Sequence, residues 1–378
     1  MSIFDDIARH DLAPPLANDT DFSYLNRSNR VEATRVRVLV DSWFERYPLE
    51  DRGGLAERFR SSINHQHKSA FFELFLHEFV LATGHRIIAI EPPLAHTRYR
   101  PDFLVESPGG GRFYLEAVLA TGLSDRERAE QARLDTALAL IDRADAPQHF
   151  LDVTTRGAPT DNISGRKLMR GLNQWIAALP DGDAAADIAP FCWEEHGVRI
   201  ELKAWPRLHP GAPGRAIGIR HFPFRAGRGQ ADIREAVVFK AEKYGVLDHP
   251  LVIAVNSFEH FQPQDDLLNA LFGSVSVAIR IENGRRQVEE RRAPDGVWWG
   301  PRGARKKGVG AVLAFARVDP WNFASRHGCL VINPWATLEL PPLHFGIDEV
   351  LSRNGNLQRT QGATLGQRLG LPGRWPET

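Results

Sequence analysis

The chain has 378 residues, 43% hydrophobic and 25% charged, enough apolar material for one large domain or two smaller ones and unlike a disordered or fibrous protein. Lysine plus arginine equals aspartate plus glutamate at 47 each, so no global field draws the chain to a polyanion, and any nucleic-acid contact must come from local patches. Two cysteines, Cys192 and Cys329, exclude a Cys-rich zinc site and argue against a disulfide framework, and no apolar run approaches the length of a membrane span. Met1 to Thr20 is polar and acidic without a basic-then-apolar leader, so a cytoplasmic setting is expected.

Residues 1 to 30, rich in Asp, Asn, Pro and Ser, read as an irregular arm. Val36, Leu39, Val40 and Trp43 predict a helix within Arg30 to Phe44, the β-branched run leaving a strand open. A linker through Pro48 and Gly53-Gly54 leads to a short helix from Leu55 to Ser61, and these pieces make an N-terminal region of residues 1–60. Phe71, Phe72, Leu74, Phe75, Phe79, Val80 and Leu81 then predict an apolar helix that Gly84 ends and that holds Glu73 and His77 one turn apart. Glu78 lies on a different face from Glu73 and reads as a solvated charge. His77 reads as a residue that packs or supports a ligand from behind rather than as a ligand itself, and His65 and His67, lacking a spaced Cys or His partner, as structural. After one more strand and a polar connection, Arg100-Pro101-Asp102 opens the strand Phe103 to Glu106. The turn Ser107 to Gly111 folds the chain back into Phe113 to Leu119. Adjacent antiparallel strands then hold Asp102 near Glu116, with Glu73 arriving from the helix.

Beyond Ser124, a charged segment flows into an Ala/Leu-rich helix ending about Ile141, His149 to Thr155 reads as a strand, and Lys167 to Leu179 as an amphipathic helix. Residues 61–160 are expected as the core. Residues 161–230 are expected as an insertion: a strand pair from Cys192 to Pro206 about His196-Gly197, then a loop from Arg207 to Arg228 carrying His209, Arg215, Arg220, His221, Phe222 and Arg225. A helix from Asp232 to Tyr244 and an unbroken apolar strand from Pro250 to Asn256 follow. Either this pair or the earlier helix and strand ending near Val153 completes the core. The remainder of 231–345 carries a helix at Asp265 to Gly273, a strand at Val275 to Glu282, a turn at Asn283-Gly284, a strand at Ala311 to Val318 and an extended piece from Cys329 to Pro342. Trp298 and Trp299 precede Arg302, Arg305, Lys306 and Lys307, the strongest basic, aromatic-flanked segment, suited to phosphate contact and base stacking. Residues 346–378 read as a polar tail.

Three carboxylates on an apolar scaffold repel one another and resist desolvation, and a hard divalent cation with oxygen ligands is the common remedy. Pro101-Asp102, the Gly hairpin, Tyr114-Leu115-Glu116 and the helical Glu73 together resemble the PD-(D/E)xK nuclease superfamily. The resemblance covers Ser69 to Thr121 and is loose elsewhere. It implies an α/β, restriction-endonuclease-like αβββαβ core with a mixed central sheet flanked by helices, here with N-terminal helices and a β-rich elaboration. It further implies a DNA endonuclease that uses Mg²⁺, or Mn²⁺ in its place, with metal held by Asp102 and Glu116 and by Glu73 directly or through a water, nucleic acid as partner, and a homodimer where both strands are cut. The chain departs from the pattern where a Lys should follow two residues after the second acid, because Val118 stands there. The substitute suggested by the resemblance is Lys240, four residues before Tyr244, similar to the QxxxY helix of RecB-like members with Lys in place of Gln. Lys243, Arg220 and the Arg302 to Lys307 cluster would contact the nucleic acid. A literal ExK at Glu201-Leu202-Lys203 ranks lower, since no Pro-Asp strand and Gly hairpin lead into it. The alternative is an inactive member that lost its Lys and serves as a nucleic-acid-binding or scaffold protein.

Overall fold

Every residue from Ala70 to Val80 is buried in the computed structural model, as expected of a helix apolar on all sides that must be wrapped by other elements. The structure describes residues 2–15, 19–121, 125–180, 188–207, 216–221, 229–258, 265–282, 285–353 and 356–377. The chain divides into two compact units, one of Met1–Leu12, Asp21–Gly122 and Gly227–Thr378, the other of Ala13–Thr20 and Leu123–Ala226.

The first unit begins with helices α1 (Asp21–Arg27), α2 (Val31–Arg46), α3 (Arg52–Phe59) and α4 (Asn64–Ala82), then strands β1 (Arg86–Ile90), β2 (Phe103–Glu106) and β3 (Arg112–Ala120). Gly84, at φ +82°, closes α4 while the His85 N–H donates to the Val80 carbonyl at 3.1 Å. The β2–β3 hairpin turns at Gly110, whose φ of +86° suits a residue without Cβ. The chain then runs through the second unit, α5 (Asp125–Asp142), β4 (His149–Gly157), α6 (Gly165–Ala177), β5 (Phe191–Glu195), β6 (Val198–Pro206) and β7 (Ile217–His221). It re-enters the first unit with α7 (Gly229–Lys243), β8 (Leu251–Ser257), α8 (Asp265–Phe272), β9 (Val275–Glu282), β10 (Arg285–Arg292), β11 (Trp299–Gly300), β12 (Gly303–Ala304), β13 (Val309–Ala316), β14 (Gly328–Ile332), β15 (Asp348–Arg353), β16 (Asn356–Thr360) and α9 (Leu365–Arg368).

Eight strands make one mixed sheet in the order β1-β2-β3-β8-β13-β14-β15-β16. β1, β2 and β3 pair antiparallel, whereas β3, β8 and β13 run parallel, with Glu116 level with Ile253. All seven residues of β8 are buried, as a central strand covered on both faces requires. Phe113, Leu115, Val252, Ala254 and Leu313 pack towards α2, α3 and α4. Tyr114, Ile253, Val255 and Val312 pack towards α7 and α8. The unit is a mixed sheet between two helical layers.

In the second unit, a four-stranded sheet in the order β5-β6-β4-β7 carries α5 and α6 on one face. The strand at His149 to Gly157 therefore belongs to this smaller sheet, and α5 with it, rather than to a core spanning 61–160. Of the two candidate pairs, α7 and β8 take the place beside β3. β8 is buried throughout, whereas β4 alternates and buries one face.

Three further readings are corrected. The N-terminal arm includes α1 and buries Ile3, Phe4 and Leu25, apolar residues too sparse to show a period. The polar tail contains the antiparallel β15–β16 edge pair and the Thr364-capped α9. β9 is paired with β10, whose sequence RRQVEERR hides a strand behind its charge. The turn at Asn283-Gly284 and the residues His209, Arg215, Phe222 and Arg225 lie outside the described residues.

Candidate active site

The β2–β3 register sets Phe103 opposite Leu115, which brings Asp102, one residue earlier, against Glu116. Each carboxylate accepts from the other strand's backbone: the Asp102 N–H donates to Glu116 Oε2 at 3.2 Å, and the Ala117 N–H donates to Asp102 Oδ2 at 2.6 Å. Alternation along β3 sends Leu115 towards α4 and leaves the fully buried Glu116 on the α7 side with Tyr114.

Ile233 and Val237 seat α7 on the sheet, and the same helical stripe continues into Lys240 and Tyr244. The Lys240 ammonium forms an ion pair with Glu116 Oε1, and the Lys243 ammonium lies 3.4 Å from that oxygen. Neither lysine points away into solvent, their side chains being 16% and 24% exposed. The Tyr244 hydroxyl donates to the Arg100 carbonyl at 3.2 Å, tying the end of α7 to the segment that leads into β2. Burial, then the charge of Glu116, holds the Tyr244 phenol well above its ordinary pKa, so it remains a donor.

Asp102 carries the electrostatic cost of the cluster. Burial, followed by the charges of Glu116 and Glu73, pushes its carboxyl up to about 8, against the opposing pull of Lys240 and the Ala117 N–H.

Glu73 was expected as a third ligand, and its carboxylate is engaged elsewhere. It sits on α4, across the sheet from α7, and accepts from Arg58 at 2.6 and 3.0 Å and from the Tyr47 hydroxyl at 2.8 Å. Its charge is still felt at Asp102. Glu78 is not solvated: it is buried, ion-paired with Arg46, and 3.0 Å from His77 Nδ1. Because α4 is covered all round, no face was left for a solvated acid. Sequence reasoning missed Arg58 and Tyr47, and their local patterns carry no signal of a role, since both meet Glu73 only through packing of α2 and α3 on α4.

Of the basic cluster, Lys306 forms an ion pair with Glu242 on α7, which fixes the turn beside Lys243. Arg302, Arg305 and Lys307 are exposed. Trp298 is buried against Phe272 and serves the core, whereas Trp299 stacks on Trp335 at 5.3 Å. Arg220 lies in β7 of the second unit, with its side chain outside the described residues. In the literal ExK, Glu201 lies 3.7 Å from Arg199, and Lys203 pairs across the sheet with Asp152.

Among the described residues, no group of three or more His, Cys, Asp or Glu side chains is arranged to hold a metal ion. The pair Asp102 and Glu116 is nevertheless a hard-oxygen donor set of the kind hydrated Mg²⁺ accepts, since that ion uses one or two carboxylates and completes its shell with water and phosphate oxygens.

No protein family, curated protein or solved structure matches the chain. No helix among the described residues is long and apolar enough to cross a membrane.

Proposed function

We propose that the chain is a Mg²⁺-dependent nuclease of the PD-(D/E)xK type, hydrolysing phosphodiester bonds in DNA. The order α4, β1, β2, β3, then α7 and β8 parallel to β3, is similar to the αβββαβ core of restriction-endonuclease-like proteins and supports that fold for the first unit. The observation that carries the reading is the ion pair of Lys240 with Glu116. A helix far along the chain supplies, on the correct side of the sheet, the ammonium that Val118 cannot.

In this reading Asp102 and Glu116 hold the metal, with Mn²⁺ able to replace Mg²⁺, and the bound ion supplies Lewis-acid charge and lowers the pKa of a coordinated water. Lys240 hydrogen-bonds the attacking water or offsets charge on the phosphate oxygens. Lys243 and the turn from Arg302 to Lys307 contact neighbouring phosphates. Glu73, clamped by Arg58 and Tyr47, sets the field around Asp102 rather than donating an oxygen.

The test is Mg²⁺-dependent cleavage of plasmid, single-stranded DNA and RNA by the wild-type chain, Asp102→Asn and Lys240→Ala, with EDTA controls. Cleavage abolished in both variants supports the assignment. Cleavage that survives Asp102→Asn removes it, and nucleic-acid binding without cleavage in any metal moves the chain to the inactive, binding alternative.

A further inference from the structure

The connection between β1 and β2 runs from Glu91 to Asp102 and carries His96, Arg98 and Arg100 between those two acids. Within it Tyr99 is 44% exposed. The Arg98 guanidinium lies 5.5 Å from the centre of the Tyr99 ring and the Lys243 ammonium 5.7 Å from it. That same ammonium is 5.0 Å from the Tyr244 ring and 3.4 Å from Glu116 Oε1. The Tyr99 ring is thus no farther from the Glu116 carboxylate than the two Lys243 distances laid end to end.

The segment is held in place before any ligand arrives. The Tyr99 N–H donates to Thr97 Oγ1 at 3.2 Å, Leu94 bridges Thr97, the Glu91 N–H donates to the Asp102 carbonyl at 2.9 Å, and Tyr244 grips the Arg100 carbonyl. A tyrosine has few torsions to freeze, so a ring presented in this way offers contact area at small entropic expense.

We propose that Tyr99 is a stacking platform for one unpaired nucleobase next to the scissile phosphate, so that the site takes single-stranded nucleic acid or a frayed strand end in preference to intact duplex. This rests on the phosphodiesterase reading of Asp102, Glu116 and Lys240. Arg98 and Lys243 stand over the ring, and a base with a phosphate on either side suits what they leave exposed: the base stacks on the open part of the ring, and Arg98, Arg100 and Lys243 meet the backbone. Bases within a duplex are already stacked on both faces and reach such a ring only after unpairing. Stacking of this kind is indifferent to base identity, so the preference is for strand state, not sequence.

The experiment uses the full chain in EDTA with 2-aminopurine-labelled single-stranded and duplex oligonucleotides, with Mg²⁺-dependent cleavage of the same molecules measured in parallel. Single strand should bind more tightly than duplex and quench the probe. Tyr99→Ala should weaken single-strand binding about ten-fold or more while moving duplex binding by less than about two-fold, and Tyr99→Trp should restore the difference. Equal binding of the two forms by the wild type, an unchanged single-strand Kd in Tyr99→Ala, or an equal loss for both forms overturns the platform. Cleavage whose strand preference survives Tyr99→Ala overturns the platform and leaves the nuclease reading intact. Tyr99-dependent binding without cleavage supports the platform and removes the nuclease reading.

Discussion

Lys240 and Glu116 form an ion pair across 124 residues of sequence. The pair is geometric in origin: Glu116 faces α7 because it alternates with Leu115, and Lys240 meets it because it falls one turn after the buried Val237. A lysine two residues after Glu116 would have approached along the strand, whereas this one approaches from the helical layer above it. The separation explains why a strict motif search finds Val118 and stops.

If that ammonium acts on the water or phosphate, Lys240→Ala lowers kcat by about 10²–10⁴-fold, the usual contribution of a positioned proton-handling or charge-offsetting side chain. Folding is retained, because Lys243 still lies 3.4 Å from Glu116. A rise in Tm with Mg²⁺ also persists, since no carboxylate is removed. Wild-type turnover in Lys240→Ala would show that the pair is structural.

His85 gives a prediction about acid stability. Its ring is buried, stacks on Phe345 at 4.7 Å and lies 3.1 Å from Thr83 Oγ1, and burial lowers its pKa from 6.5 to about 4. Between those values the unfolded chain binds a proton that the folded chain refuses. Stability is therefore full above pH 6.5 and falls as pH drops towards 4, by up to about 3 kcal/mol for this one group. His67, also buried with a lowered pKa, pulls the same way. His85→Phe should flatten part of the acid limb of a denaturation series; an unchanged slope would show that the ring takes up its proton in the folded protein.

The hairpin acids were legible in the sequence because everything that places them is local: a Pro before Asp102, a strand of four residues, a Gly turn, and alternation along β3. The buried α4 was legible because its apolar residues occupy every face. The partners of Glu73 were not, because Arg58 and Tyr47 reach it through tertiary packing that leaves no period. The same reason hides the division into units: α5 and β4 follow β3 with the pattern of a core, yet β4 pairs with β6 and β7, and only the parallel register with β3 reveals β8 as the neighbour. Charge concealed β10 and the edge pair β15–β16, whose strands lack the apolar alternation that a buried face imposes.

Glu73 separates scaffold from ligand. Glu73→Ala strips the acceptors from the Arg58 guanidinium and the Tyr47 hydroxyl and should lower stability by about 2–3 kcal/mol, at the lower end for a broken pair because Arg58 is 39% exposed. Glu73→Gln keeps one acceptor oxygen and should lose less. The deciding measurement is the Mg²⁺-induced rise in Tm, which should persist in Glu73→Gln and vanish in Glu116→Gln. Its loss in Glu73→Gln would return Glu73 to the metal site.

In the proposed site Asp102 would link metal, proton and stability. Its carboxyl is raised from 3.8 to about 8, by burial first and then by Glu116 and Glu73. Between those values the folded chain holds a proton that the unfolded chain has released. The stability from this site is therefore fully present below pH 3.8 and lost as pH rises through about 8. In metal-free buffer, Tm should decline from pH 6.5 to 9, above the range in which His85 and His67 act, and Asp102→Asn, which cannot ionise and can still accept the Ala117 N–H, should flatten the decline. Each kcal/mol restored corresponds to about 2–4 °C in a domain of roughly 200 residues. Mg²⁺ should oppose the decline in the wild type, because an ion held by Asp102 and Glu116 favours the ionised form and displaces the proton. It should do nothing for Asp102→Asn. Parallel Tm curves for the two proteins, with and without Mg²⁺, would mean that Asp102 carries neither the proton nor the metal.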